Sequence, residues 1–235
     1  MVEKAMKDSI GERFKQNYEE VWKLRLPMRL PTIIRLDGRC FHSFTKDMER
    51  PFDKLFIGDM AGLAYYLCEN IQTAQFAYCQ SDEISILLHP YKKLTSQAWF
   101  GGEIQKMVSI SAGLASSWMS VEYEQEVVFD SRVFVLPESE VANYFLWRQM
   151  DWTRNSIQML AQGLYSHKEL LNKNTSELQE LIFQKGVNWN DLETHLKRGL
   201  VVRKDDEGNR FVDWNPPIFS QDRNYIERYL EVEGE

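Results

Sequence analysis

The sequence has few cysteines and no long apolar run, and both shortages exclude classes of protein. Its three cysteines, Cys40, Cys68 and Cys79, show no paired metal-binding spacing. A small odd number of cysteines argues against a disulfide framework and is typical of a reducing cytosol. No segment approaches the roughly 20 apolar residues that a membrane span needs. The sequence therefore predicts a soluble, cytoplasmic protein without a structural zinc site.

The chain also lacks an excess of positive charge. Its formal net charge is -7, which argues against a broad basic face, so any contact with nucleic acid must use local patches. The 235 residues are 43% hydrophobic and include seven tryptophans, which is enough for a sizeable core. We find no internal repeat and no low-complexity linker. We expect an N-terminal helix and catalytic core over 1–165, with a helical and β-hairpin extension over 166–235 packed on it as one unit.

Hydrophobic periodicity predicts the order of the elements. A surface helix over 3–24 precedes a strand ending near Asp37, and Asp59 is expected to cap a helix that runs to about Thr73. The remaining segments are a hairpin over 76–89, a helix over 103–120, a strand over 127–136, helices over 138–164 and 176–184, and a hairpin over 199–214. The central order β-α-β-β-α-β is the ferredoxin-like unit used by polymerase and cyclase palms. We therefore predict an α+β fold with an antiparallel sheet.

The stretch from Pro31 to Phe44 combines a strand with a possible phosphate site. A short apolar run ends in Asp37 and Gly38, which is typical of a buried strand that delivers a carboxylate to the edge of a site. Gly38 permits a sharp turn after which several backbone amides could face one anion. An ordinary Asp-Gly turn is the alternative.

A second acidic segment, Ser81-Asp82-Glu83, interrupts the hairpin over 76–89. Adjacent central strands of a ferredoxin-like unit would bring Asp82 close to Asp37, and two carboxylates suit magnesium and phosphoryl or nucleotidyl transfer. Neighbouring residues of a strand point to opposite faces, so Asp82 and Glu83 share a site only if the tip departs from strand geometry. A solvated turn is the alternative.

Two further clusters could bind phosphate or RNA. Arg148, Asp151 and Asn155 follow one another along a single helical face, either as a binding stripe or as a surface ion pair with a nearby amide. The densest basic cluster lies near the C-terminal hairpin and is either a phosphate-binding patch or a solvated hairpin edge. It comprises Lys197, Arg198, Arg203 and Lys204.

These segments together resemble a known family. The ordered matches are Arg35-Leu36-Asp37-Gly38-Arg39-Cys40-Phe41-His42, Gln80-Ser81-Asp82-Glu83, Phe129-Asp130-Ser131-Arg132-Val133, Trp147-Arg148-Gln149 with Asp151 and Asn155, and Lys197-Arg198-Gly199. They resemble the tRNA-histidine guanylyltransferase family and run in order through most of the chain. The resemblance implies a palm-like enzyme that extends RNA at its 5′ end. A 5′-monophosphate is first activated, typically by adenylylation, and the 3′-hydroxyl of an incoming nucleoside triphosphate then attacks it.

The resemblance also implies roles for particular residues. Asp37 and Asp82 match the positions that hold two magnesium ions, assisted by the Gly38 carbonyl, and Glu83 is a further catalytic candidate. The candidates for binding ATP or GTP are Gly38, Arg39, Cys40, Phe41, His42, Ser81 and Arg50. The candidates for binding RNA or triphosphate are Arg132, Arg148, Asn155, Lys197 and Arg198. Family members are generally homotetramers that bind tRNA.

One departure bears on the substrate. Eukaryotic members that add one guanylate carry His-Ile-Asn-Asn on the long helix, where this chain has Thr153-Arg154-Asn155-Ser156. The chain thus looks more like the bacterial, archaeal or phage-type branch, whose members resemble template-dependent enzymes that repair 5′-truncated tRNA. The alternatives are addition of a single G to tRNA-histidine, a nucleotidyl cyclase on the same palm, and a non-catalytic tRNA-binding module. A buried carboxylate pair kept without a metal would be costly, which disfavours the last.

Overall fold

A computed structural model of the chain describes residues 9–232. One six-stranded sheet, paired antiparallel throughout, organises them in the order β4-β1-β3-β2-β5-β6. The strands are β1 (Thr32–Gly38), β2 (Ala74–Gln80), β3 (Glu83–Leu88), β4 (Phe129–Val135), β5 (Leu200–Lys204) and β6 (Arg210–Asp213). The first four strands have the spatial order of a ferredoxin-like unit, so the predicted fold class is confirmed. The last two strands extend the same sheet.

The helices follow the predicted order with a few differences. They are α1 (Ile10–Phe14), α2 (Phe41–Phe44), α3 (Lys54–Asn70), α4 (Ile104–Glu122), α5 (Glu138–Leu164), α6 (His167–Leu170), α7 (Thr175–Gln184), α8 (Thr194–Arg198) and α9 (Asn224–Glu227). Short 3-10 segments lie at Glu20–Trp22, Trp99–Gly102, Trp189–Asp191 and Arg228–Leu230. Within the described residues, no helix is long and apolar enough to cross a membrane.

The predicted start of α3 was wrong. Asp53 caps this helix by accepting a hydrogen bond from the Phe56 amide at 2.9 Å, so the cap lies six residues before Asp59 and the helix begins at Lys54. Asp59 instead lies inside the helix and accepts a hydrogen bond from the Tyr123 hydroxyl at 2.7 Å. The burial of Phe56 in the core explains the earlier start, because its side chain anchors the first turn.

The N-terminal helical segment lies on the surface, as expected. It runs from Ile10 to Trp22 as α1, a π-helical segment Lys15–Glu19 and a 3-10 turn, and none of these residues is buried. The predicted residues 3–8 of this helix lie outside the described residues.

Strand alternation separates two layers of core. Helices α3 and α4 pack on the face that carries Ile34 and Leu36, whereas α5 packs on the face that carries Ile33. Because side chains alternate along a strand, Arg35 and Asp37 lie on the α5 face. A third apolar cluster joins the C-terminal half of α5 to α7. The division of the chain near residue 165 stays a prediction.

Gly199 permits the close approach of the C-terminal segment to the sheet. Its φ is +74° and ψ is −176°, and a Cβ atom there would lie 2.6 Å from the Tyr78 hydroxyl and 2.7 Å from the Cys79 carbonyl oxygen. Tyr78 donates a hydrogen bond to the carbonyl of Arg198 at 2.9 Å. The residue before β5 therefore has both a conformational and a steric need for glycine.

We expect Gly199→Ala to lower the free energy of unfolding by about 1–3 kcal/mol, because this conformation is nearly restricted to glycine and the new methyl group meets backbone. Urea denaturation followed by circular dichroism measures the change. Gly113→Ala is the matched control: Gly113 lies in α4, and a Cβ atom added there would meet nothing within 4 Å, so that variant should be unchanged or more stable by about 1 kcal/mol. Equal stabilities of the two variants would contradict this account of Gly199.

Candidate active site

The pairing of β1 with β3 brings the two acidic segments together. Asp37 is the cross-strand partner of Glu83, and the Gly38 amide donates a hydrogen bond to the Asp82 carbonyl at 3.2 Å. Asp37, Asp82 and Glu83 consequently line one cavity of about 580 Å³, which we call the carboxylate cavity. Ser81, Arg148 and Asn155 line it as well.

The hairpin tip departs from strand geometry at Ser81 and Asp82. This is the departure that Asp82 and Glu83 need in order to share one site. Ser81 and Asp82 form a two-residue loop closed by the Gln80–Glu83 pair, and Ser81 has a left-handed φ of +48°. Asp82 therefore lies outside the ladder, and its direction is not tied to the alternation of β3. This explains how Asp82 and Glu83 can line the same cavity.

The carboxylate of Asp82 has no cationic partner among the described residues. Burial raises the pKa of its carboxyl group, and the negative charge of Asp37 raises it further. Within residues 9–232, no Lys, Arg or His nitrogen lies within 4.0 Å of the Asp82 carboxylate, whereas Asp37 has Arg35 at 4.0 Å. Two neighbouring carboxylates with one such unneutralised charge fit a hard divalent cation such as Mg²⁺.

The donor set of the protein is small. The described residues contain no group of three or more His, Cys, Asp or Glu side chains that could hold a metal ion. Magnesium characteristically uses one or two carboxylates and completes its coordination with water and substrate phosphates. Asp37 and Asp82 therefore fit an ion that is bound together with a nucleotide.

Glu83 and Arg148 bind each other. Arg148 donates to the two carboxylate oxygens of Glu83 through Nε and Nη2, both at 2.7 Å, and its Nη2 also contacts Asp151 at 2.9 Å. Burial raises the pKa of Glu83, and the charges of Arg148 and Arg35 oppose that shift. Both were predicted to contact substrate or metal, but here each side chain is engaged by the other.

The loop after β1 presents free backbone amides. Cys40 has a left-handed φ of +58°, and within the described residues the amides of Cys40, Phe41 and His42 have no hydrogen-bond partner. Consecutive amides around a left-handed residue form an anion-binding concavity. The Arg39 amide is different, because it donates to the Val128 carbonyl at 2.8 Å. Three of the predicted nucleotide-binding residues thus retain free amides.

Gly38 is required for the shape of this loop. A Cβ atom on Gly38 would lie 2.2 Å from the ring of Phe41, which packs directly over the glycine. Phe41 is buried and contacts the rings of Phe44 and Phe129 with centroids 4.9 and 5.0 Å apart. The loop is therefore held by an aromatic cluster beneath it.

A second cavity of about 120 Å³ adjoins the first, and we call it the apolar cavity. It lies between the loop before α3 and the segment that leads into β5, and Arg50 is among its lining residues. The two cavities share the residues Gln80, Ser81, Trp152 and Met159. A ligand could thus place an apolar ring in one cavity and a charged group in the other.

Three residues that were predicted to bind RNA or triphosphate lie outside both cavities, as do the predicted nucleotide-binding residues from Gly38 to His42. Arg132 is the cross-strand partner of Arg35 and pairs with Asp130 at 3.8 Å. Lys197 donates a hydrogen bond to the Asn190 carbonyl, and Arg198 donates to the Pro216 carbonyl at 3.4 Å. The side chains of Lys197 and Arg198 are therefore engaged within the C-terminal segment, and their phosphate-binding roles stay predictions.

Sequence reasoning missed several lining residues. Arg35 lines the carboxylate cavity. The sequence could have predicted this, because Arg35 lies two residues before Asp37 and therefore on the same face of the strand. Gln158 and Gln162 continue the helical face that carries Asn155, so the 3.6-residue period could have found them. His195 of the apolar cavity comes from a short helix that the sequence did not indicate.

In the segment Thr153 to Ser156 of α5, the side chains at both ends are hydrogen-bonded within the protein. The Thr153 hydroxyl donates to the carbonyls of Gln149 and Lys197, and buried Ser156 accepts a hydrogen bond from the Trp189 indole at 3.1 Å. Only Asn155 of this segment lines the carboxylate cavity.

A palm-like sheet with two carboxylates at the meeting ends of its central strands is typical of enzymes that act on nucleoside triphosphates, among them nucleotidyltransferases and cyclases. The sequence profile of the Thg1 family, described as tRNAHis guanylyltransferase, matches residues 11–137, which is more than half of the chain. The chain therefore belongs to the tRNAHis guanylyltransferase family, and it is a nucleotidyltransferase.

Solved structures resemble nearly the whole chain. A bacterial tRNA(His) guanylyltransferase-like protein in complex with ATP is 42% identical with a TM-score of 0.90, covering 96% of this chain and 100% of the other. Such a bacterial protein in complex with GTP is 41% identical with a TM-score of 0.84, covering 95% and 99%. A probable tRNA(His) guanylyltransferase of Drosophila melanogaster is 29% identical over 72% of this chain and 65% of its own length.

We expect Asp82→Asn to stabilise the metal-free protein at pH 7.5. The pKa of Asp82 is raised in the folded state, so its ionisation costs stability above that pKa, and the cost disappears below the unfolded value of 3.8. The advantage of the variant in urea midpoint, measured in EDTA, should therefore shrink as the pH falls to 4. Mg²⁺ should raise the midpoint of the wild type more than that of the variant.

Asp191→Asn is the control for this measurement, because Asp191 is exposed and its side chain makes no hydrogen bond or ion pair within the described residues. It should change the free energy of unfolding by less than about 0.5 kcal/mol. Equal responses of wild type and Asp82→Asn to pH and Mg²⁺ would contradict the proposed role of Asp82.

Proposed function

We propose that this protein adds nucleotides in the 3′-to-5′ direction to the 5′ end of truncated tRNA, using the opposite strand as a template. The observation that carries the proposal is the convergence of Asp37 and Asp82 in a cavity that opens onto a second, apolar cavity at Ser81. The likeness to bacterial proteins in complex with ATP and GTP supports the choice of nucleotides as substrates.

The apolar cavity suits a purine base. Phe52, Phe56 and Trp152 supply aromatic and apolar walls, while Arg50 offers a positive charge for phosphate at its edge. In this proposal the free amides of Cys40, Phe41 and His42 bind triphosphate oxygens. The shared residue Ser81 lies where the base and phosphate portions of one nucleotide meet.

Asp37 and Asp82, with the Gly38 carbonyl, would hold two Mg²⁺ ions. When bound, these ions lower the pKa of an attacking hydroxyl and stabilise a leaving pyrophosphate. In the first step the 5′-phosphate of the RNA attacks the α-phosphate of ATP and pyrophosphate leaves. In the second step the 3′-hydroxyl of the incoming nucleoside triphosphate attacks the activated 5′-phosphate and AMP leaves.

Glu83 and Arg148 act as positioning residues in this scheme. Their two hydrogen bonds of 2.7 Å join the first residue of β3 to α5, and Glu83 directly follows Asp82 in the chain. The ion pair thereby holds the hairpin tip against the helix that forms the opposite wall of the cavity. Asn155 lines the same cavity and is the candidate that the sequence predicted on α5 for contact with RNA or triphosphate.

The hydrogen bonds of Thr153 in α5 favour templated addition. Thr153 stands where guanylate-adding eukaryotic members have histidine, and its hydroxyl is bound to two carbonyls of the protein. The hydroxyl proton of Thr153 is therefore already donated within the protein, which supports selection of the added nucleotide by base pairing with a template. The homotetrameric assembly implied by the resemblance and the cytoplasmic location predicted from the sequence belong to the same proposal.

Addition of a single G to tRNA-histidine is the second candidate. The family profile and the Drosophila relative carry this name, and the carboxylate pair would serve both reactions. The two differ in whether the added nucleotide depends on the opposing base.

The decisive experiment compares full-length tRNA-histidine with 5′-truncated tRNAs carrying different template bases, in the presence of Mg²⁺, ATP and all four nucleoside triphosphates. We expect 5′ extension that follows the template, and loss of extension to background in Asp37→Ala and Asp82→Ala. Asp191→Ala should retain activity because it lies outside both cavities.

Extension that is unaffected by either aspartate substitution would contradict the assignment of the site. Preferential addition of one G to full-length tRNA-histidine, whatever the opposing base, would establish the second candidate instead.

Filling the apolar cavity should separate nucleotide binding from RNA binding. Met48 lines this cavity, and we expect Met48→Trp to raise KM for ATP in the activation step roughly 10-fold or more, because the larger ring occupies the space of the base. The KM for tRNA should stay unchanged. Met28→Trp, at a surface position 58% exposed, is the control, and an unchanged KM for ATP in Met48→Trp would show that the base binds elsewhere.

A further inference from the structure

A groove that combines polar side chains with leucines adjoins the carboxylate cavity along α5. It lies between the C-terminal half of α5 and the segment that contains α6 and the start of α7, with a volume of about 460 Å³, and we call it the α5–α7 groove. Gln158 and Gln162 line both this groove and the carboxylate cavity. The two spaces are therefore continuous.

The lining of the groove offers hydrogen-bond donors that the protein does not use. Within residues 9–232, the side chains of Gln158, Gln162, His167 and Lys173 make no hydrogen bond or ion pair. No lining residue is acidic, although acidic residues outnumber basic ones by 35 to 28 in the whole chain. Unpaired amides and a free ammonium group in an otherwise acidic protein favour a negatively charged, hydrogen-bonding ligand.

The wall of the carboxylate cavity that leads to the groove is longer than one nucleotide. From Asp151, at the carboxylate cavity, to Gln162 the helix rises roughly 16 Å at 1.5 Å per residue. The proposed function places the nucleoside triphosphate in the apolar cavity and on the free amides of Cys40, Phe41 and His42, away from the α5–α7 groove. A ligand that reaches the α5–α7 groove from Asp37 must therefore be a polymer.

We infer that the α5–α7 groove binds the RNA strand that leads away from the reacting 5′ end. Lys173 contacts a backbone phosphate, and Gln158 and Gln162 donate hydrogen bonds to phosphate or base edges. Leu171, whose side chain is 58% exposed in the groove, packs against a ribose or a base. The inference rests on the proposed function, because it assumes that RNA is the substrate at Asp37.

An RNA strand fits this lining better than a protein partner does. The groove exposes few large apolar side chains, whereas the centre of a protein interface is apolar and aromatic. RNA binding depends instead on cations and donors spaced along the backbone, and these are what the groove supplies.

Charge reversal in the groove tests the inference. Lys173→Glu should weaken binding of 5′-truncated tRNA roughly 10-fold in fluorescence anisotropy and reduce the slope of log K against log salt by about 1. The affinity for ATP should not change. Lys106→Glu is the matched control, since Lys106 is exposed on α4, on the opposite face of the sheet. Equal RNA affinities and salt slopes of Lys173→Glu and wild type would overturn the inference.

Photocrosslinking locates the RNA without relying on the stability of a charge variant. With p-benzoylphenylalanine in place of Leu171, crosslinks should map within a few nucleotides of the tRNA 5′ end. The same group in place of Val121, 76% exposed on α4, should give none there. Crosslinks from position 171 to distant parts of the tRNA, or none at all, would overturn the inference.

The outcomes distinguish the groove from the proposed function. If the wild type extends 5′ ends but Lys173→Glu binds RNA normally, only the groove assignment is wrong. If the wild type does not extend 5′ ends, the proposed function fails whatever the variants bind. If Lys173→Glu changes the oligomeric state in sedimentation but not the RNA affinity, the groove is a contact between copies of this chain and the inference is wrong.

Discussion

The site depends on the antiparallel pairing of β1 with β3. This pairing sets Asp37 opposite Glu83 and places the Asp82 carbonyl within 3.2 Å of the Gly38 amide. A shift of one residue would send Asp37 to the apolar face covered by α3 and α4, and Ile34 and Leu36 would lose their burial. Packing of the core and placement of the carboxylates are therefore fixed by the same register.

The Glu83–Arg148 ion pair joins the sheet to α5. A buried pair of this kind contributes little net stability, because the cost of removing both charges from water offsets their attraction. Its geometric effect is larger: two hydrogen bonds of 2.7 Å fix the strand end that bears Asp82 against the helix that lines both the carboxylate cavity and the α5–α7 groove. Among residues 9–232, no cationic side chain pairs with Asp82, and a bound divalent ion would neutralise its charge.

The sequence predicted the elements that have strong periodicity. The helix Glu138–Leu164 and the ferredoxin-like strand order were found because apolar residues recur with the periods of helix and strand. The start of α3 was missed because the burial of Phe56, a tertiary contact, decides it. The sequence also predicted that Asp37 and Asp82 lie close together, because the strand order brings the ends of β1 and β3 to one place. The turn expected after Gly38 is present and leaves backbone amides free.

Pairing among polar side chains could not be read from the sequence. Glu83 and Arg148 are 65 residues apart and bind each other, while Lys197 and Arg198 bond to nearby carbonyls within the C-terminal segment. Such pairings depend on distances that only the folded chain sets. The apolar cavity has the same origin, because it is formed by segments distant in sequence such as those around Arg50 and His195.

The most direct test of the account is the position of a divalent cation in the presence of nucleotide. Crystals of the full chain grown with ATP and Mn²⁺, measured for anomalous scattering, should show a manganese peak about 2.0–2.5 Å from carboxylate oxygens of both Asp37 and Asp82. Bound ATP with no manganese at these two residues, or manganese held elsewhere in the protein, would contradict the central claim that they form the metal-binding pair.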